Sequence, residues 1–168
     1  MLNASLSLFK TDQENLAVWN GTLYSYVSTT VTTEGVELEL NGELAEGWQF
    51  SSGYAYSVSR NDDNERILMR APLHSLKTFT TYRLPGAFNK LTVGGGFNWE
   101  SRTHDGAQTE QSSYALFNLW GRYEISENLS ASININNLFD KEYYLSIAGN
   151  SVAYGAPRNV MTSLTYNY

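Results

Sequence analysis

The chain has 168 residues, a net charge of −6 and a pI near 4.9; that is enough for one domain, and without a basic stripe to neutralise phosphates a nucleic-acid partner is disfavoured. Cysteine is absent, which removes disulfide frameworks and thiolate metal sites. Mean hydropathy is −0.36, and no run approaches the roughly 18 apolar residues of a membrane helix. Aromatic content is nevertheless 14%, with 12 tyrosines and 4 tryptophans, and a membrane barrel hides its apolar residues at every second position.

Period-two alternation runs through the chain in eight segments. The first, about Leu2 to Val18, aligns Leu2, Ala4, Leu6 and Leu8; its start, Met1–Lys10, lacks the basic opening, solid apolar run and small-residue cleavage site of a secretory leader. The second spans about Tyr24 to Leu44. The third, about Trp48 to Arg60, sets Trp48, Phe50, Tyr54, Tyr56 and Val58 against Gln49, Ser51, Gly53, Ala55, Ser57 and Ser59. The fourth, about Ser75 to Leu84, sets Leu76, Thr78, Thr80, Tyr82 and Leu84 against Lys77, Phe79, Thr81 and Arg83. The fifth sets Leu91, Val93, Gly95, Phe97 and Trp99 against Thr92, Gly94, Gly96, Asn98 and Glu100. The sixth, about Ser113 to Ile125, has Phe117, Leu119, Tyr123 and Ile125 on one side, while Asn118 and Arg122 share the other with Leu116 and Trp120. The seventh opposes Leu129, Ala131, Ile133 and Ile135 to Ser130, Ser132, Asn134 and Asn136. The eighth runs from about Ala153 to Tyr168.

Three joints are short and carry turn residues: Ala45–Gly47, Pro85–Asn89 and Ser126–Asn128. Three are long and polar: Asn61–Arg70, Thr103–Ser112 and Leu145–Val152. Short turns on one side and long loops on the other are the layout of an outer-membrane barrel, as is a row such as Ser130, Ser132, Asn134 and Asn136, which is too wet for a dry core. Trp48, Phe50, Tyr82, Phe88, Tyr123, Tyr166 and Tyr168 fall near the short-turn side, where an aromatic girdle would meet the membrane interface. The competing reading is a soluble sandwich or lipocalin-like barrel, greasy inside and polar outside.

Segment seven continues into Asn136-Asn137-Leu138-Phe139-Asp140-Lys141-Glu142-Tyr143-Tyr144, and segment eight opens with Tyr154-Gly155-Ala156-Pro157-Arg158-Asn159-Val160. This pair of motifs, their spacing and their distance to a terminal aromatic resemble the C-terminal end of TonB-dependent outer-membrane receptors. Ser5–Phe9 with Asp12–Leu16, Glu34–Leu40, Gly47–Gln49, Tyr82–Gly86 and Leu91–Gly96 resemble the siderophore-receptor branch, above all receptors for ferric coprogen and rhodotorulic acid, both hydroxamates. The resemblance implies an all-β antiparallel transmembrane barrel segment of about eight meandering strands. These would be the last eight of a 22-stranded barrel, with the plug domain and the TonB-contacting segment without counterpart, so that residues 1–168 form the C-terminal part of the barrel domain. It implies an outer-membrane transporter for ferric siderophores rather than an enzyme, with no cofactor and no metal ligands of its own. Expected partners are the ferric siderophore, outer-membrane lipid, the barrel-assembly machinery through the last strand, and TonB only through the absent N-terminal part. The alternative is a self-contained eight-stranded barrel with a structural or adhesive role.

Asn137, Leu138, Phe139, Asp140, Lys141, Tyr144, Gly155, Pro157, Arg158 and Tyr168 match family motifs and read as structural. Ligand contacts in the family come from aromatic and Arg side chains high on the inner wall and in outer loops. Here that points to Trp19, Tyr24, Tyr26, Trp99, Tyr114, Tyr143 and Tyr154, although for each one alone a girdle or loop-packing role is the commoner one for a rim aromatic. Gly94-Gly95-Gly96 is not followed by the Lys and Ser/Thr of a phosphate loop and reads as strand glycine. His104-Asp105 in a polar loop has no triad geometry, and His74 and His104 have no spacing that pairs them as metal ligands. Glu37, Glu39, Glu43, Lys77, Arg83 and Arg122 read as a water-lined wall with weak cross-strand ion pairs.

Overall fold

The computed structural model describes residues 1–105, 109–148 and 151–168. Its strands are β1 (Leu2–Asn20), β2 (Ser25–Ala45), β3 (Trp48–Arg60), β4 (Arg66–Ile67), β5 (His74–Arg83), β6 (Leu91–Glu100), β7 (Thr103–His104), β8 (Glu110–Gln111), β9 (Tyr114–Glu124), β10 (Leu129–Asn136), β11 (Tyr144–Ala148), β12 (Ser151–Tyr154) and β13 (Asn159–Tyr166). Eight of them make one antiparallel sheet in the order β1-β2-β3-β5-β6-β9-β10-β13, with β4 added beside β3. This is the expected meander. The order is open: β1 and β13 are its two edges and do not pair with each other, so the structure is not the self-contained eight-stranded barrel of the alternative reading.

One continuous apolar face crosses the sheet. Leu8, Val36, Tyr56 and His74 stand in register, as do Leu6, Leu38, Tyr54, Leu76, Trp99 and Ala115. Further along, Gly95 opposes Leu119, Leu119 opposes Ile135, and Ile135 opposes Val160. Because partners across a ladder share a face, the alternation seen in each segment adds up to a single surface. That surface is open: Leu8 is 75% exposed and Leu164 68%. Among the described residues only Val31, Val58 and Ile147 are buried hydrophobics. A sheet with a wide exposed apolar face and almost no core is built for a lipid solvent.

The opposite face is polar and cross-linked. Hydroxyl and amide pairs bridge neighbouring strands: Ser51 to Asn41 (2.6 Å), Thr33 with Ser59 (2.8 Å), Ser132 with Ser163 (2.7 Å) and Asn136 to Asn159 (2.9 Å). Phe9, Phe79 and Trp120 also stand on this face, and each lies across from a glycine: Gly35, Gly96 and Gly94. A side chain at Gly35 would collide with the Phe9 ring, and one at Gly96 with the backbone of Thr78 and Phe79. At Gly35 and Gly96 an aromatic ring laid over the glycine keeps the wall thin where it is greasy, which gives Gly96 a packing purpose.

Three sequence expectations change. Segment eight is not one strand: β12 belongs to a separate two-stranded hairpin with β11, and β13 begins only at Asn159. Pro157 has no N–H to give a ladder, and the chain breaks there. The joint Leu145–Val152, expected to be a loop, is largely that hairpin; residues 149–150 lie outside the described residues, as do 106–108 of the Thr103–Ser112 joint. The period of two also fails inside β1. Asn15 sits at φ +57 as the extra residue of a bulge, with Gln13 opposite Val31 and Leu16 opposite Thr29. The bulge moves Leu16 and Val18 to the polar-face side and puts Trp19 on the outer side beside Tyr26.

Candidate ligand-binding mouth

Short turns close the sheet at one end and the longer excursions leave it at the other. At the short-turn end Trp48 packs edge-on against Tyr82 (6.2 Å between centroids) and donates its Nε1–H to Thr80 Oγ1 (2.7 Å). At the loop end of the same face His74 lies between Tyr54 and Tyr56, its Nδ1 2.8 Å from the Tyr54 hydroxyl. Trp48 and Tyr56 are eight residues apart on β3, about 26 Å along a strand and about 20 Å once tilted, so the two aromatic rows bracket an apolar band of membrane size.

Above the second row the loops pack on one another. Asn137 organises them. It is 5% exposed and has φ +51. Its Oδ1 accepts the Lys141 N–H (2.8 Å), and its Nδ2 donates to the Lys141 and Ala156 carbonyls (2.9 and 3.1 Å). Its own N–H reaches Asn118 Oδ1 on β9 (3.0 Å), and Leu138 N–H reaches the Phe117 carbonyl (2.7 Å). Asp140, also at positive φ, accepts the Arg158 N–H (2.7 Å). Asn and Asp tolerate this backbone region and hydrogen-bond their own neighbours, which is why the motif uses them. The result ties β9, the exit of β10 and the entry of β13 into one clasp. Phe139, 70% exposed, packs edge-on against Phe117 on the apolar side.

The clasp positions the β11–β12 hairpin over the rim. Tyr143 stacks on Tyr114 (4.9 Å) and lies flat on Gly155, where a Cβ would overlap its ring. The Tyr114 hydroxyl donates to Glu100 Oε2 (2.9 Å), and the Tyr144 N–H donates to Gln111 Oε1 (2.6 Å), joining the hairpin to β8. Tyr144 and Tyr154 meet edge to face at 5.2 Å. Tyr154 is exposed, and its pKa is raised, chiefly by the electrostatic and hydrogen-bonding effect of the Tyr144 phenol.

The seven aromatics therefore fall into three places. At the mouth Tyr114 and Tyr143 stack on each other, while Tyr154, on the β11–β12 hairpin, packs against Tyr144 instead. Trp19 and Tyr26 form their own edge-to-face pair (5.4 Å) at the far tip of the β1–β2 hairpin, with Tyr24 in its turn at φ +48. Trp99 stands in the outward apolar row between Leu76 and Ala115, facing away from the polar wall, so its place is in the girdle. Tyr168 lies beyond the end of β13 and is exposed. Of the charges read as inward, Arg83 pairs with Glu124 at 3.3 Å, both half-exposed. Glu100, Gln111 and Asn118 were not among the candidate site residues. A buried Gln in a polar loop leaves no periodic signal, and Asn118 looks like any other wall residue. Asp105 closes its own loop by accepting the Thr109 N–H (3.0 Å).

Residues 1–138 match the family model described as TonB dependent receptor-like, beta-barrel. The chain is 53% identical over 169 residues to the ferric-pyoverdine BN7/BN8 receptor of Pseudomonas putida, a match that covers 99% of this chain and 21% of that protein. It is 36% identical over 187 residues to the ferripyoverdine receptor of Pseudomonas aeruginosa, covering 99% and 23%. Among solved structures, that of P. aeruginosa FpvA bound to a heterologous pyoverdine superposes with a TM-score of 0.88 at 36% identity, over 98% of this chain and 24% of the other. The chain thus spans about a fifth to a quarter of the length of the relatives it matches. Likeness to coprogen and rhodotorulic acid receptors is not supported; pyoverdine is the siderophore in these relatives' names. With its apolar face turned to lipid and its polar face to the lumen, the chain belongs to the TonB-dependent receptor β-barrel family of the bacterial outer membrane.

Proposed function

We propose that residues 1–168 form the closing part of the barrel wall of a receptor that takes up a ferric siderophore of the pyoverdine class, energised by TonB through parts of the protein outside these residues. The observation that carries this reading is the 53% identity to a ferric-pyoverdine receptor across 99% of the chain. The geometry supports it: a polar inner wall leads up to a mouth where the stacked Tyr114–Tyr143 pair stands beside the Glu100 carboxylate and the exposed Tyr154 ring lies on the adjoining hairpin. Ring faces can cover the carbon skeleton of a chelate whose iron is already saturated, and the polar groups fix its orientation. No covalent chemistry is required of the wall.

The test is uptake of radiolabelled iron by cells that lack their own pyoverdine receptor and carry the complete receptor containing this chain. Iron supplied on pyoverdines of several peptide types should enter for at least one of them, and only with TonB present. Uptake of coprogen-bound iron with none from any pyoverdine would overturn the assignment.

A further inference from the structure

Arg60, at the end of β3, lies directly opposite Arg66 of β4. Partners in a ladder share a face, so both arginine side chains leave the sheet on the same side, a pairing of like charges that costs stability when nothing neutralises it. Three of the nearby carboxylates are engaged elsewhere. Asp12 accepts the Thr32 hydroxyl (2.6 Å), Asp62 accepts the Thr29 hydroxyl and the Thr30 N–H (3.1 and 3.0 Å), and Glu65 faces Asn61 (3.4 Å). Among the described residues neither Arg60, Arg66 nor Lys10 has a carboxylate oxygen within 4.0 Å.

The location says what could fill the gap. Arg60 shares the apolar face of the sheet with Tyr56 and Val58 and stands four residues beyond Tyr56. That is about 13 Å further along the strand, or about 10 Å higher once tilted, at the level of lipid headgroups. Beneath it a shallow cleft of about 390 Å³ is lined by Leu8, Val36, Tyr56 and Val58 below and by Arg60 and Glu34 at the rim. Lys10 sits across from Glu34 on β1. The floor suits acyl chain and the rim suits phosphate, which guanidinium groups grip in bidentate fashion. Glu34 would oppose a bare phosphate but can accept a sugar hydroxyl.

The geometry points to a binding site for a phosphorylated glycolipid of the outer leaflet, with its phosphate between Arg60 and Arg66, Lys10 at the side and its acyl chains over Leu8 and Val36. The site faces the membrane, away from the lumen, and rests on the placement of the sheet in the outer membrane rather than on which siderophore crosses it. Native mass spectrometry of the complete receptor in detergent tests it, with bisphosphorylated lipid A, its dephosphorylated form and phosphatidylglycerol as probes. The double variant Arg60→Gln, Arg66→Gln should bind bisphosphorylated lipid A about tenfold more weakly than wild type, with Arg60→Lys in between. Siderophore-dependent iron uptake should be unchanged, which separates this site from the transport reading. In lipid-free detergent the double variant should melt no earlier than wild type, because a repulsion has been removed. Equal lipid A binding by variant and wild type overturns the proposal. So does phosphatidylglycerol binding as tightly as the glycolipid, which would mark ordinary annular lipid, or displacement by millimolar inorganic phosphate, which would mark a free-anion site.

Discussion

Asn137 shows how much one side chain can hold. It is nearly buried, adopts a left-handed backbone and bonds two carbonyls and one N–H through its amide. Asn137→Gly keeps the backbone angle and loses the bonds; Asn137→Asp keeps the acceptor and loses the donors to Lys141 and Ala156. Each should cost about 1–3 kcal/mol, the price of leaving buried carbonyls unpaired. Both should expose the 141–156 hairpin to limited proteolysis while the sheet stays resistant. Equal protection in wild type and both variants would show that the hairpin is held by other contacts. Gly155→Ala tests the next layer. Its new methyl would overlap the Tyr143 ring, so Tyr143 must leave Tyr114; the near-ultraviolet tyrosine signal should fall, and the affinity for ferric siderophore with it. The motif residues around Asn137 were legible as structural in the sequence. What they bonded was not, because the partners Asn118 and Ala156 lie 19 residues away on either side.

At the scale of the strand, faces decide solvent. Ile133 stands on the apolar side between Gly121 and Thr162, and Ser132 on the polar side, bonded to Ser163. Ile133→Arg should cost about 2–4 kcal/mol near the bilayer midplane, whereas Ser132→Arg puts its charge in water and should cost much less. Unfolding titrations of the lipid-refolded receptor measure both; equal penalties would mean that the polar face is dry. Strand positions were readable because the period of two is enforced along most of each element, and bounds at β3, β6 and β10 fall where alternation starts and stops. Two places resisted. The β1 bulge inverts the pattern through one residue, Asn15, that looks ordinary in sequence. The β11–β12 hairpin is too short for a periodic signal, and its apolar Ile147 is buried although it lies outside the main sheet.

For the molecule as a whole, the two sheet edges matter most. β1 is paired only with β2 and β13 only with β10. An unpaired edge in hydrocarbon leaves backbone groups that cost several kcal/mol each, and in water it templates aggregation. Residues 1–168 expressed by themselves with an added leader should therefore aggregate and should not support growth on ferric siderophore. TonB-dependent growth would show that the eight strands suffice for transport. The fold class and membrane placement were legible because they are repeated at every strand. The siderophore was not, because on the proposed reading it depends on a few rim side chains and no repetition marks them.

The parity of the sheet also sorts the four tryptophans into different surroundings. Trp48 and Trp99 border the lipid band at opposite heights, Trp120 lies on the wall inside, and Trp19 stands at a hairpin tip far from both. In bilayers of brominated phospholipid, heavy-atom quenching should therefore extinguish the emission of Trp48 and Trp99 and spare Trp120, while acrylamide entering from water should do the reverse. The receptor carries its own depth gauge, and single-tryptophan variants would read the insertion and tilt of this part of the wall without any attached label.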